Sequence, residues 1–162
     1  MPKDIYGGML MIIEMDTRNR KDGYVTDYFD KHNIKWIRNK LYSGDVKLLN
    51  DTKVIIDLKA NLEEIAHNLC NSLEHARIHR EIQRAKELGC ENFIFLISDS
   101  KIKSIEDIKN WSSKYTKVKG LTLLKIMLTM KKRYNVRFII VPRKDIGKKI
   151  IELLQDKKIK RR

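Results

Sequence analysis

The stretch GDVKLLNDTKVIIDLK, residues 44–59, contains the pattern that decides the fold. Two short apolar runs, Val46 to Leu49 and Lys53 to Leu58, are separated by Asn50-Asp51, a dipeptide typical of a tight turn between strands. The residues from Ile34 to Leu41 are also strand-like and end before the turn signal Ser43-Gly44. The middle of the chain therefore predicts an antiparallel meander.

Outside this stretch, buried strands alternate with helical patterns. Further strands are predicted at Met9–Met15 (after a turn at Gly7-Gly8), Phe93–Ile97 and Arg137–Val141. Helices are predicted at Asp22–His32, from Asn61, at Leu73–Leu88, Ile105–Trp111, Leu121–Tyr134 and Asp145–Leu154. Because the late strands alternate with helices, parallel pairing is expected there. We predict an α/β fold, a central mixed β-sheet flanked by helices, in a single domain of residues 1–156 followed by a basic tail of residues 157–162.

The charge balance points to a polyanionic partner. The 162 residues include 35 Lys and Arg against 21 Asp and Glu, a formal net charge of +14. Nucleic acid is the first expectation and an anionic membrane surface the second, although codon usage in AT-rich genomes also enriches lysine. Cys70 and Cys90 form no disulfide framework, and no run reaches the roughly 18 apolar residues of a membrane span. A cytoplasmic location without membrane contact is expected.

Three acids stand at the ends of predicted strands. Asp16 follows Ile12-Ile13, Asp45 opens the first apolar run of the quoted stretch, and Asp57 closes the second. Neighbouring strand ends can bring such carboxylates within a few ångströms, where they repel each other unless a cation neutralises them. Hard oxygen ligands suit Mg²⁺ or Mn²⁺, and the carbonyl of Leu58 can complete the shell. Strand-end aspartates are also ordinary turn and cap formers.

Lys59 lies two residues beyond Asp57, and strand alternation places both side chains on one face. Phosphodiester hydrolysis needs a metal ion to polarise the phosphoryl group and a positive group to orient water or stabilise charge. The three acids fit the first requirement and Lys59 fits the second.

Basic residues recur in two further places. Arg77, Arg80 and Arg84 share one face of a predicted helix, where they can either guide a phosphate backbone or form a solvated surface. Lysines at positions 114, 117 and 119 surround Tyr115 in a predicted loop. Basic residues interleaved with an aromatic suit nucleic acid, and a solvated loop has the same composition.

The ordered motifs resemble a known family. They are Asp16-Thr17-Arg18, Gly44-Asp45, Asp57-Leu58-Lys59 followed by Glu63, and a helix with Arg77 and Glu81. Across residues 10–98 this set resembles the nuclease domain of the XPF/Mus-type structure-specific endonucleases, in the PD-(D/E)xK superfamily.

The resemblance implies a restriction-endonuclease-like core and a metal-dependent DNA endonuclease acting on branched or flapped DNA. A homodimer is expected because branched DNA suits two-fold sites. It implies catalytic and metal-binding roles for Asp16, Asp45 and Asp57, with Lys59 and a supporting Glu63. Phosphate binding is expected from Arg18 and from the three arginines of the predicted helix.

Several positions depart from the family pattern. Asn19 and Asp57 stand where the family has Glu, Leu58 replaces Arg, Glu63 replaces Asp, and Glu81 replaces Gln. No tandem helix-hairpin-helix module follows in this sequence. The alternative hypotheses are a catalytically inactive nucleic-acid-binding protein that keeps the nuclease fold, and a protein-binding adaptor, which predicts an exposed apolar patch.

Overall fold

The computed structural model describes residues 5–6 and 9–156. A short antiparallel ribbon, β1 (Ile5–Tyr6) and β2 (Met9–Leu10), precedes a six-stranded mixed sheet. The strands of that sheet are β3 (Ile12–Asp16), β4 (Lys35–Asn39), β5 (Val46–Leu48), β6 (Asp51–Lys59), β7 (Asn92–Ser98) and β8 (Val136–Val141). They lie in the order β4-β3-β5-β6-β7-β8.

Helices cover both faces of this sheet. They are α1 (Gly23–Lys31), α2 (Leu62–Cys70), α3 (Ser72–Glu87), α4 (Gly120–Tyr134) and α5 (Ile146–Gln155), with a 3-10 helix at Ile105–Asn110 and another at Arg143–Asp145. Alternate residues of the central strands feed two separate cores. Ile55 packs with apolar residues of α2, α3 and α4, whereas Ile56 packs with those of α1 and α5. The predicted mixed sheet flanked by helices is confirmed.

The predicted meander is wrong in one respect. β5 and β6 form the expected antiparallel hairpin, with Asn50 in a left-handed turn conformation. β4, however, pairs parallel with β3, which lies between β4 and β5. The reason is α1, because a helix between two strands forms a crossover connection and returns the chain parallel to its starting strand.

Smaller differences concern local boundaries. The single strand predicted at Met9–Met15 is divided between β2 and β3, and the predicted helix at Ile105–Trp111 is a 3-10 helix. The predicted turn at Gly7-Gly8 and the basic tail of residues 157–162 lie outside the described residues. The expected parallel pairing of the late strands is confirmed, since β6, β7 and β8 run parallel. Within the described part of the chain, no helix has the length and apolar character to cross a membrane.

Gly44 fixes the turn that enters β5. Its φ is +74°, and a Cβ there would overlap the side chain of Ile55 and lie 3.2 Å from the carbonyl oxygen of Ile56. Gly89 has a similar φ of +82° but no atom within 4 Å of such a Cβ. Substituting both glycines therefore separates the cost of backbone strain, which applies at both positions, from the cost of steric overlap, which applies only at Gly44.

We expect Gly89→Ala to lower the free energy of unfolding by about 1–2 kcal/mol, the cost of a left-handed alanine. Gly44→Ala should lower it by roughly 1–3 kcal/mol more, because the buried Ile55 must also move. Urea unfolding followed by tryptophan fluorescence measures both values. Equal costs for the two substitutions would show that Gly44 is not held by its neighbours.

Candidate functional site

Strand register brings the three predicted acids to one edge of the sheet. Met15 of β3 is opposite Val46 of β5, and Val46 is opposite Ile56 of β6. Asp16 follows Met15, Asp45 precedes Val46 and Asp57 follows Ile56. These three acids are therefore neighbours. The amide of Asp16 donates to the carbonyl of Asp45 at 2.8 Å, and the amide of Asp45 donates to the carbonyl of Ile56 at 2.8 Å. Asp57 comes next along β6, beside Asp45.

The carboxyl groups of Asp45 and Asp57 interact directly. Burial raises the pKa of Asp45 well above its usual value, and the charge of Asp57 and a hydrogen bond with it raise this pKa further. A hydrogen bond from the amide of Leu58 to Asp45 Oδ2, 2.7 Å long, and the charge of Lys59 act in the opposite direction. Burial and the neighbouring carboxylate therefore both disfavour the charged form of Asp45, and a proton or a cation is favoured there.

Lys59 lies on the same face as Asp57, as the strand alternation predicts. Its Nζ is 3.5 Å from Asp57 Oδ1, and both side chains are buried. A buried ammonium group beside two carboxylates can orient a water molecule or stabilise negative charge that develops nearby.

Asp16 is placed differently from the other two acids. Its oxygens accept hydrogen bonds from Arg18 Nε at 2.9 Å, from Arg18 Nη2 at 3.3 Å and from the amide of Leu41 at 2.9 Å. Among the residues that the structure describes, no three His, Cys, Asp or Glu side chains group to hold a metal ion. Asp16 lines the same cavities as Asp45 and Asp57 but is already paired with Arg18, and its role as a third metal-binding carboxylate stays a prediction.

The remaining pair fits one class of metal ion. Mg²⁺ keeps several waters and binds proteins through one or two carboxylates together with substrate phosphates, whereas Ca²⁺ takes six to eight oxygen ligands. Asp45 and Asp57 supply two hard oxygen donors with excess negative charge. Leu58 lines the same cavity, and its backbone carbonyl remains a predicted ligand. The donor set suits a hydrated Mg²⁺ or Mn²⁺ ion.

Glu63 does not reach this pair. Its carboxylate accepts hydrogen bonds from Ser113 Oγ and from the amide of Lys114, both at 2.7 Å, on the side of α2 that faces a loop. The next residue is the one that reaches the site: Glu64 Oε1 is 3.9 Å from Lys59 Nζ. The two side chains point in different directions because successive helical residues are about 100° apart, and the supporting role of Glu63 stays a prediction.

The acids open into two connected cavities. A cavity of about 410 Å³ is lined by the predicted arginines Arg77, Arg80 and Arg84. Another of about 580 Å³ is lined by Lys21 and Arg143. Both cavities share a set of five lining residues: Asp16, Arg18, Asp45, Asp57 and Lys59. The result is a groove with the carboxylate pair at its centre and cations along both arms.

The two outer arginines of α3 each form an ion pair with a glutamate of the same helix. Arg77 Nη1 is 3.2 Å from Glu74 Oε1, and Arg84 Nη1 is 3.2 Å from Glu81 Oε2. Arg80 is exposed at the cavity wall. Arg77 is mostly exposed as well, so a phosphate can compete for its guanidinium group.

Two further residues of the groove were missed by sequence reasoning. Arg143 follows the carboxyl end of β8 and stacks 4.1 Å above the ring of Tyr24. The predicted parallel pairing of β6, β7 and β8 could have indicated Arg143, because the carboxyl ends of parallel strands meet at one edge of a sheet. Asn68 lines the first cavity, and its Oδ1 is buried with no hydrogen-bond partner in the described structure. Its position in α2 gave no such signal.

Glu81 positions the turn before Asp45. Its Oε1 accepts a hydrogen bond from the amide of Gly44 at 2.6 Å, and its backbone carbonyl accepts one from Ser43 Oγ at 2.8 Å. Two hydrogen bonds to Glu81 therefore hold the turn at Ser43-Gly44 in place.

Comparison with known proteins identifies the family. The ERCC4 domain model matches residues 15–157. This chain belongs to the ERCC4 domain family. The resemblance to XPF-type nuclease domains is thereby confirmed. Among curated proteins, no sequence matches this chain.

Solved structures share the fold. XPF from Aeropyrum pernix is similar with a TM-score of 0.66 and 16% identity, over 88% of this chain and 64% of that chain. XPF from Aeropyrum pernix in complex with DNA is similar with a TM-score of 0.64 and 17% identity, over 94% of this chain and 66% of that chain. The present chain thus spans just under two thirds of their length. This likeness confirms the restriction-endonuclease-like core of the ERCC4 domain.

The carboxylate pair makes a prediction about stability without metal. Because the pKa of Asp45 is raised, the folded protein binds more protons than the unfolded chain as pH passes from the usual Asp value, about 3.9, to the raised value. Wild-type stability should therefore fall as pH rises through that window. Asp45→Asn removes this charge, so in EDTA it should stabilise the protein, and more at pH 8 than at pH 4.

Urea unfolding at both pH values in EDTA measures the effect, with the exposed Asp27→Asn as a control that should change nothing. Added Mg²⁺ should stabilise the wild type more than Asp45→Asn. If Asp45→Asn is less stable than the wild type at pH 8 in EDTA, the charged Asp45 carboxylate does not destabilise the fold.

Proposed function

We propose that this chain is a metal-dependent endonuclease that hydrolyses phosphodiester bonds in DNA. The observation that carries the proposal is the Asp45–Asp57 carboxylate pair, with Lys59 beside it, at the centre of a groove lined by arginine and lysine. Two buried carboxyl groups in contact lower the stability of the fold. Such a pair is typical of a site that binds a cation together with a phosphate.

Each group has a role that follows from its position. A divalent ion held by Asp45 and Asp57 would supply Lewis acidity toward the phosphoryl group and make hydroxide available near neutral pH. The ammonium group of Lys59 orients the attacking water or stabilises the charge that develops on phosphorus-bound oxygens. Arg77 and Arg80 bind flanking phosphates along one arm of the groove.

Branched or flapped DNA is the proposed substrate. A groove with cations on both arms accommodates backbone on either side of the cut, and the high net charge favours nucleic acid generally. The solved relative in complex with DNA supports DNA as the polymer. The second candidate, an inactive DNA-binding protein, is favoured by one observation: Asp16, an expected metal ligand, is already paired with Arg18.

Cleavage of labelled DNA distinguishes these candidates. Linear duplex, flapped and four-way DNA are incubated with the protein in Mg²⁺, Mn²⁺ or EDTA. We expect cutting of flapped or four-way DNA with either metal and none in EDTA. Asp57→Asn and Lys59→Met should each lower the rate about 100-fold or more.

The exposed residues Asp27 and Lys53 provide matched controls, since Asp27→Asn and Lys53→Met change the same charges away from the groove. Tight DNA binding without cutting in any divalent metal would establish the inactive candidate instead. Cutting that survives Asp57→Asn would remove the carboxylate pair from the mechanism.

We also propose that the chain forms a homodimer through α4. Leu121 and Leu128 lie two turns apart on this helix with 51% and 46% of their surface exposed, and Leu124 between them is partly buried. Exposed large apolar side chains on one helix face are typical of a protein interface, and a self-complementary patch suits a two-fold dimer.

Sedimentation velocity tests the dimer across a concentration series. Leu121→Lys combined with Leu128→Lys should raise the dimer dissociation constant at least about 10-fold, because two cations would face each other across the two-fold axis. Leu73→Lys is the control, since Leu73 is 78% exposed on α3. A wild-type protein that stays monomeric at all concentrations would refute the interface.

A further inference from the structure

The loop between the 3-10 helix at Ile105–Asn110 and α4 is closed at its base. Ser112 and Lys119 form an antiparallel bridge, the amide of Gly120 donates to the carbonyl of Trp111 at 2.7 Å, and the amide of Ser113 donates to the carbonyl of Val118 at 3.0 Å. A Cβ at Gly120 would overlap the carbonyl oxygens of Ile108 and Trp111. The base of the loop is therefore tightly packed, and its tip projects.

Tyr115 stands at the tip on a fixed backbone. Tyr115 is 83% exposed. Ser113 Oγ accepts hydrogen bonds from the amides of Tyr115 at 3.2 Å and Thr116 at 3.0 Å. Ser113 and Lys114 are in turn held by the two oxygens of Glu63. An exposed aromatic side chain on a preorganised loop loses little conformational freedom when it binds.

The segment that carries Tyr115 is basic throughout. Residues 108–144 contain eleven Lys and Arg and no Asp or Glu. Three of these cations are exposed in the loop itself: Lys114, Lys117 and Lys119. Lysines around an exposed aromatic ring match a nucleic-acid strand, whose phosphates bind the ammonium groups while a base stacks on the ring.

Two adjacent residues of α2 link the loop with the groove. Glu63 holds the loop, and Glu64 Oε1 is 3.9 Å from Lys59 Nζ in the groove. Beside Tyr115, between the loop and α2, is a cavity of about 350 Å³ to which His67 and Val118 also contribute. Its volume is within the range of sites for small ligands.

We propose that Tyr115 and its lysines bind a single-stranded segment of DNA, with an unpaired base stacked on the Tyr115 ring. A single strand is specified because paired bases in a duplex offer no free face to an isolated aromatic side chain. The proposal deepens the proposed function, on which it rests for the identity of the polymer, and it places the unpaired arm of a flapped substrate across the start of α2.

Fluorescence anisotropy in EDTA, where no cutting occurs, tests the proposal with a labelled single strand and a blunt duplex of equal length. Tyr115→Ala should weaken single-strand binding roughly 5- to 100-fold, the effect of losing one stacked base, and change duplex binding less than about twofold. Tyr115→Trp should keep the single-strand affinity. Glu63→Ala, which frees the loop, should also weaken single-strand binding selectively.

Two control variants show whether the loss of any exposed apolar side chain, or of any surface charge, has the same effect. Leu73→Ala deletes an equally exposed apolar side chain elsewhere, and Lys125→Gln with Lys131→Gln and Lys132→Gln deletes three exposed charges of α4. Neither should reproduce the selective loss. Equal weakening of single strand and duplex by Tyr115→Ala, or no weakening of either, overturns the proposal. The same holds if Tyr115→Ala selectively weakens binding to anionic lipid vesicles.

The outcome is independent of catalysis. A selective loss with Tyr115→Ala in a protein that never cuts DNA would support this contact and refute the proposed endonuclease. Cutting of flapped DNA that depends on Asp57, with binding unaffected by Tyr115→Ala, would support the endonuclease and refute the contact.

Discussion

Two carboxyl groups are held in contact where β5 begins and β6 ends, and the organisation of this edge of the sheet follows from that contact. The backbone leaves them little freedom, since the amide of Asp45 is bonded to Ile56, and Gly44 turns the chain with a left-handed φ. Burial and mutual charge raise the pKa of Asp45. The charged form of Asp45 is thus disfavoured, and a proton or a divalent cation at this position would stabilise the fold.

The neighbouring acids are treated differently. Asp16 is bonded to Arg18, and Glu14, buried two residues earlier in β3, accepts hydrogen bonds from Lys47 and Asn39. Each of these carboxylates has a cationic partner in contact. The charges of Lys59 and Arg18 both act on Asp45, yet its pKa stays raised, and this distinguishes the Asp45–Asp57 pair from the ion pairs of β3. The arginines of α3 and the acid-free segment 108–144 then supply an attractive field for a polyanion.

Much of this arrangement was predictable, because it depends on short-range patterns. The apolar runs on either side of Asn50 predict the hairpin, and alternation predicts that Asp57 and Lys59 share a face. What could not be predicted depends on long-range packing. The side of α2 on which Glu63 lies is set by contacts with Ser113, fifty residues away. The hydrogen bond from Arg18 to the carbonyl of Leu41, and the parallel pairing of β3 with β4, likewise depend on the folded sheet.

A crystal structure of the protein soaked in Mn²⁺, with anomalous scattering used to locate the metal, tests whether Asp45 and Asp57 bind a divalent ion. We expect a manganese peak between Asp45 and Asp57, within coordinating distance of an oxygen of each, with Lys59 nearby and water completing the shell. Two carboxyl groups that stay hydrogen-bonded to each other, with no metal peak at near-neutral pH, would contradict a metal site at this pair.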